Sequence, residues 1–305
     1  MINQNKKLII KSHHKNISMK TINRRSFIKK TSAGLGAAVA LSQLPNQLFA
    51  VAAANDMPIG FQSWSVKDKL SNDFAGTLKT MHDMGYKLIE MCSPKGYATI
   101  GFGAFVNMKT ADIKKTINDA GLECPSCHFG SAEFAPDKID DTIQFAHDLG
   151  LTQMICSTFW LPKTATLNDY LAAADKLNKA AEKIKAAGMQ AGFHNHEFEF
   201  AQLDGQLIYD ALMNRFDADL VKMQFQTEVI NLGYKAADYF NKYPGRFISS
   251  HLSDWTADKK EVPVGQGVID WKEFFAAAKT GGVKNFFVEM EMDKFKHSVA
   301  YIHSI

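Results

Sequence analysis

Ala191-Gly192-Phe193-His194-Asn195-His196-Glu197-Phe198-Glu199-Phe200 reads as a short, aromatic-rich strand. A long amphipathic helix over 168–187 precedes it and stops at Gly188. Alternation puts His194 and His196 on one face of the strand and Asn195, Glu197 and Glu199 on the other, unless the chain turns first. Two imidazoles and two carboxylates this close together are costly to bury without partners or a metal. A solvated turn would carry no such cost, so the reading depends on what the chain sets beside this strand.

Outward from it, the same strand-then-helix unit repeats on both sides. Upstream, strands are expected at 58–66 (PIGFQSWSV), 87–92 (KLIEMC), 124–129 (CPSCHF) and 153–159 (QMICSTF). The helices between them fall at 72–84, 109–120 and 137–149, stopped by Gly85, Gly121 and Gly150. Downstream, strands are expected at 221–226 (VKMQFQ), 247–252 (FISSHL) and 285–291 (NFFVEME), with helices at 206–216, 235–243, 270–280 and 294–305. Alternation with short turns predicts parallel β-structure, and eight units predict a closed (β/α)8 TIM barrel in the α/β class. An open doubly wound sheet is disfavoured because no Gly-rich phosphate fingerprint follows the first strand.

In such a barrel the active site lies where strands end. The strand ends carry Gln62 and Trp64, Glu90, His128, Trp160, His194 and His196, Gln224 and Gln226, His251 and Asp254, and Glu289 and Glu291. Mixed nitrogen and oxygen groups gathered from several strands suit a metal site.

The first 54 residues do not belong to this pattern. Arg24-Arg25-Ser26-Phe27-Ile28-Lys29-Lys30 is a twin-arginine motif, followed by a short apolar run and small residues around 50–54. That is the layout of an export signal, too short to span a membrane. The domain plan is therefore an N-terminal extension and twin-arginine export signal over 1–54 and a barrel over 55–305, with a periplasmic destination. Residues 1–54 hold nine of the 35 basic residues and no acid, which leaves 26 basic against 32 acidic residues in the mature chain. An acidic surface argues against nucleic acid as a partner. An oligomer is compatible with the sequence. Cys124-Pro125-Ser126-Cys127 is a lone C-x-x-C in a strand, read as buried structural thiols.

The chain resembles the sugar phosphate isomerase/epimerase family, the xylose isomerase-like TIM barrels. The resemblance is carried in order by Ile59-Gly60-Phe61-Gln62-Ser63-Trp64-Ser65, Leu88-Ile89-Glu90, the opening stretch, Tyr243-Pro244-Gly245-Arg246-Phe247, Ser250-His251-Leu252-Ser253-Asp254, Gly265-Gln266-Gly267-Val268-Ile269-Asp270 and Val288-Glu289. It implies a small-molecule carbohydrate substrate and one divalent ion (Mn, Co, Mg or Zn) held from strands five to eight. Carried over by residue, His251 matches the strand-seven histidine ligand and Glu289 the strand-eight glutamate. Gln226 stands where strand six usually ends in Asp, a weaker ligand that Glu228 would replace if the strand continued. On strand five the ligand is His194, His196 or Glu199, with Glu199 favoured.

The implied chemistry is proton removal beside a metal-polarised carbonyl, giving isomerisation, epimerisation or elimination. Base candidates are His128, His194, His196 and Glu289. Trp64, Trp160 and Trp255 offer apolar faces to a sugar ring, and Glu90 and Asp254 offer hydrogen bonds. No Arg or Lys clamp marks the strand ends, so an unphosphorylated keto-sugar or 3-keto-glycoside is expected. The alternative is a non-catalytic periplasmic sugar-binding protein, which the neutral Gln226 would suit.

Overall fold

The computed structural model describes residues 57–305, so the signal expected at 1–54 lies outside the described residues. Eight parallel strands close into a barrel. They are β1 (Ile59–Gln62), β2 (Leu88–Cys92), β3 (Glu123–Phe129), β4 (Gln153–Cys156), β5 (Gln190–His194), β6 (Val221–Gln226), β7 (Phe247–Leu252) and β8 (Asn285–Val288). Each pairs with its neighbours in sequence, and β8 returns to β1 with Phe61 opposite Val288.

Among the described residues nine α-helices clothe it: α1 (Lys67–Asn72), α2 (Phe74–Met84), α3 (Thr110–Asp119), α4 (Ile139–Leu149), α5 (Leu167–Ala186), α6 (Ile208–Arg215), α7 (Ala236–Lys242), α8 (Trp271–Gly281) and α9 (Phe295–Ile302). Their ends follow local chemistry. Asp73 caps α2 by accepting from the Gly76 amide, and Asp270 caps α8 through the Lys272 and Glu273 amides. Gly85, Gly150 and Gly282 end α2, α4 and α8 in the left-handed conformation that glycine adopts without strain. Among the described residues no helix is long and apolar enough to cross a membrane.

Four strands are shorter than the sequence suggests. β1 stops at Gln62 and passes into a 3-10 turn, β4 stops at Cys156, β5 at His194 and β8 at Val288. The opening stretch therefore turns early: its last four residues, Glu197–Phe200, form a 3-10 turn rather than more strand. The cause is barrel closure, because pairing with both neighbours ends at the rim whatever the strand propensity beyond it. The sequence reading also lacks α1 and two small antiparallel ribbons, Gln202–Leu203 with Gln206–Leu207 and Asp254–Trp255 with Glu261–Val262.

Aromatic side chains fill the layer between barrel and helices. Phe225 packs on Phe240 and Phe247, with ring centroids 5.6 and 6.1 Å away. Cys124 and Cys127 are free thiols, half-buried and buried.

Candidate active site at the barrel mouth

Side-chain alternation builds the site in two levels. On β3, β6 and β7, Ser126 and His128, Gln224 and Gln226, and Ser249 and His251 are residue pairs two apart, all of them buried. Strand register then matches levels: Glu90 lies opposite Ser126, Gln224 opposite Ser249, and Gln226 opposite His251.

The lower level centres on Glu90, which is completely buried. Its Oε1 accepts from Ser126 Oγ (2.5 Å) and Gln224 Nε2 (2.8 Å), and its Oε2 accepts from Gln62 Nε2 (2.7 Å) and His251 Nε2 (2.5 Å). Burial alone would raise its pKa; the His128 and His251 charges and these hydrogen bonds outweigh burial and hold it at about 2. Glu90 does not line the cavity, so of the two roles open to it, a hydrogen bond to a sugar hydroxyl or the orienting of a ligand residue, its contacts match the second. It orients His251 from below.

The upper level is the chemical one. His251 Nδ1 lies 2.8 Å from Glu289 Oε2, so each ring nitrogen faces a carboxylate. Burial disfavours the imidazolium, but Glu289 and Glu90 outweigh it and raise the pKa to about 9. Gln226 Nε2 donates to the same Glu289 oxygen at 2.7 Å. His128 Nε2 is 2.6 Å from Gln224 Oε1. The His194 ring lies 4.9 Å from His128, 4.8 Å from His196 and 4.5 Å from His251, centroid to centroid. Burial, then the neighbouring rings, push His194 well below the usual histidine range, and burial lowers His196 to about 4. Both are neutral imidazoles near neutral pH.

Above these residues opens a cavity of about 430 Å³. His128, His194, His196, Gln226 and Glu289 line it, as do Trp64, Trp160 and Trp255. His251 lies fully buried beneath. Two expected site residues sit elsewhere. Glu199 is buried, its Oε2 accepts from the His196 amide at 2.7 Å, and its Oε1 has no hydrogen-bond partner among the described residues. It braces the turn after β5 and is not part of the cavity wall; burial raises its pKa to about 8. Asp254 is fully buried; its Oδ2 accepts from the Gly265 and Gly267 amides and Trp271 Nε1 at 2.8–3.0 Å, and its Oδ1 accepts from the Trp255 amide at 3.0 Å. It fastens a loop rather than binding substrate. The sequence reading missed Ser126 and Ser249, although their spacing of two from His128 and His251 was a usable signal.

His128, His194 and His251 each bring a ligand atom within 4.8 Å of the others. His194 Nδ1, His196 Nδ1 and Gln226 Oε1 are buried without any hydrogen-bond partner among the described residues. Buried polar atoms are rarely left so. With Nε2–H given to Glu90, His251 can offer Nδ1 once an ion displaces the proton it shares with Glu289, the carboxylate–histidine arrangement that orients metal-bound imidazoles. The donor set fits a divalent ion.

The family model described as xylose isomerase-like TIM barrel matches residues 78–304, well over half of the chain. The chain belongs to the xylose isomerase-like TIM barrel family. Similar solved structures include a sugar phosphate isomerase/epimerase from Parabacteroides distasonis (22% identity, TM-score 0.69, covering 83% of this chain and 96% of that one). Others are a xylose isomerase-like TIM barrel protein from Mycobacterium smegmatis in complex with magnesium (15%, 0.60, 82% and 96%) and the IOLI protein with a bound zinc atom (13%, 0.57, 81% and 94%). At these identities the likeness shows the fold. No curated protein is significantly similar to the chain.

Proposed function

We propose that this xylose isomerase-like barrel is an exported, metal-dependent enzyme that removes a proton beside the carbonyl of an unphosphorylated keto-sugar or keto-glycoside. The observation that carries the reading is the set of partnerless atoms, His194 Nδ1, His196 Nδ1 and Gln226 Oε1, gathered with Glu289 at the polar end of one cavity. His251 Nδ1, Glu289, Gln226 Oε1 and His194 Nδ1 would hold the ion. A bound divalent ion polarises a carbonyl and acidifies the neighbouring C–H.

The chain's own groups do the rest. His196 is neutral, lines the cavity and is held face to face on Phe198 with ring centroids 5.0 Å apart. It is the base that accepts the proton, and from it the proton returns to the next carbon, the other face, or leaves with a β-substituent. Trp64 and Trp255 wall the reacting ring. Glu228, Glu261, Glu289 and Glu291 line the same cavity, whose one lysine or arginine among the described residues, Lys67, lies 4.3 Å over the Trp64 ring. Lys294 pairs with Glu261 and Glu291, and the lack of an Arg or Lys clamp on the cavity wall favours an unphosphorylated substrate.

Metal content is the first test. His251→Ala should lower metal affinity by at least ~10–100-fold, the loss seen even for outer-sphere partners. Full occupancy in the His251→Ala, Glu289→Gln double variant contradicts the ligand assignment. One observation favours a sugar-binding protein without chemistry: Gln226 supplies a neutral oxygen where the family resemblance leads one to expect Asp. Sugar binding without α-proton exchange selects that reading.

A further inference from the structure

Trp160 is the most exposed large hydrophobic side chain among the described residues, at 64%, yet it lines the cavity. It lies four residues beyond the end of β4 on a left-handed backbone, with φ of 53°. Bulky side chains almost never adopt that conformation, and such outliers gather at ligand-binding sites. The other two tryptophans of the cavity are fixed by neighbours. Trp64 sits edge-on to Tyr97 at 6.1 Å beneath Lys67, and Trp255 Nε1 donates to Ser253 Oγ at 3.2 Å. Trp160 has only a long bond from its amide to Thr158 Oγ1, at 3.4 Å.

Barrel order sets its position. β4 and β8 are four strands apart in either direction, so Trp160 stands across the mouth from Glu289. Glu289 and the imidazoles of His128, His194 and His196 line the deeper part of the cavity, His128 and His194 from the two strands beside β4, and Trp160 stands on the rim as an aromatic plate with much of its surface in water. A volume of about 430 Å³ is within the range of pockets that enclose drug-sized ligands, more than one six-membered ring needs. Aromatic faces of this kind bury the apolar face of a ring while its hydroxyls stay wet.

We propose that Trp160 is the platform of an outer subsite that takes the second ring of a two-ring glycoside, whose reacting ring lies deeper in the cavity, between His196 and Glu289. The proposal deepens the carbohydrate reading above and rests on it only for the identity of the inner ring. The strain at Trp160 is kept because the position serves the ligand.

The test is calorimetric titration of the mature, metal-loaded protein with a disaccharide (cellobiose or trehalose) and with methyl glucoside, for wild type, Trp160→Ala and Trp160→Gly. The wild type should bind one of the disaccharides on the order of tenfold more tightly than the one-ring sugar, the size expected from one ring's apolar contact. Both variants should bring that ratio close to one. Trp160→Gly should also melt at the wild-type temperature or above it, since glycine relieves the left-handed strain; a purely structural Trp160 would predict a lower melting temperature. No measurable disaccharide binding, no preference in the wild type, or a preference that survives in Trp160→Ala overturns the proposal. α-Proton exchange of a keto-sugar, read on the same samples, separates the two claims. Preference without exchange keeps the subsite and removes the catalytic reading, whereas exchange without preference removes the subsite alone.

Discussion

His196 and His194 show how residues of one type acquire different tasks two positions apart. Both are neutral because burial disfavours the imidazolium. His194 is sealed among three other rings, while His196 is half-buried on the cavity wall, where a proton can be taken from a ligand. His196→Ala should therefore lower kcat on a confirmed substrate by ~10²–10⁴, the usual worth of a positioned base. Near-normal turnover in that variant, with Glu289→Gln inactive, would move the base to β8. Glu90 makes a separate prediction for the metal-free protein. Its folded pKa, about 2, lies below its ordinary value of 4.5. The group therefore adds stability that is fully present above pH 4.5 and disappears as pH falls towards 2, worth on the order of 3 kcal/mol. His251 is the other half of the same pairing, with its contribution lost as pH rises through 9, so the two are not added. Urea unfolding of wild type and Glu90→Gln between pH 6 and pH 2 should show the stability gap closing with acid. Parallel curves would mean that Glu90 is not the charged centre of the lower level.

At the scale of elements, strand packing constrains β1 most sharply at Gly60. A methyl group there would stand 2.4 Å from Phe287 Cδ1 and 2.9 Å from Leu88 Cβ, on the two strands that flank β1. Gly60→Ala should cost ~1–3 kcal/mol, as overpacking does, and lower the melting temperature. An unchanged melting temperature would show that closure between β1 and β8 is looser than described. Such contacts are invisible in sequence, whereas the eight units were legible, because glycine stops and apolar runs mark each helix and strand locally. Strand ends were less legible. Nothing local tells His194 that β5 stops there, since the stop comes from the reach of β4 and β6. Roles of buried acids were also hidden. Glu90 and Asp254 look like available carboxylates in sequence, and only the fold brings Ser126, Gln224 and the Gly265 amide to them.

For the whole molecule, the account joins an acidic barrel to an N-terminal segment whose Arg24 and Arg25 we propose to direct export. Changing both to Lys should leave the precursor in the cytoplasm; an unchanged periplasmic fraction would sink that proposal. The proposed export also bears on the proposed substrate, because glycosides and free sugars are the carbohydrates expected outside the cytoplasm. The central claim is that the barrel mouth abstracts a proton beside a carbonyl. It is tested most directly by incubating the metal-loaded protein in D2O with keto-sugars and 3-keto-glycosides and following the α-position by NMR. The account predicts deuterium at the carbon next to the carbonyl, abolished by chelation and strongly slowed in His196→Ala. A substrate that binds in the cavity and keeps its α-proton with metal present would contradict it.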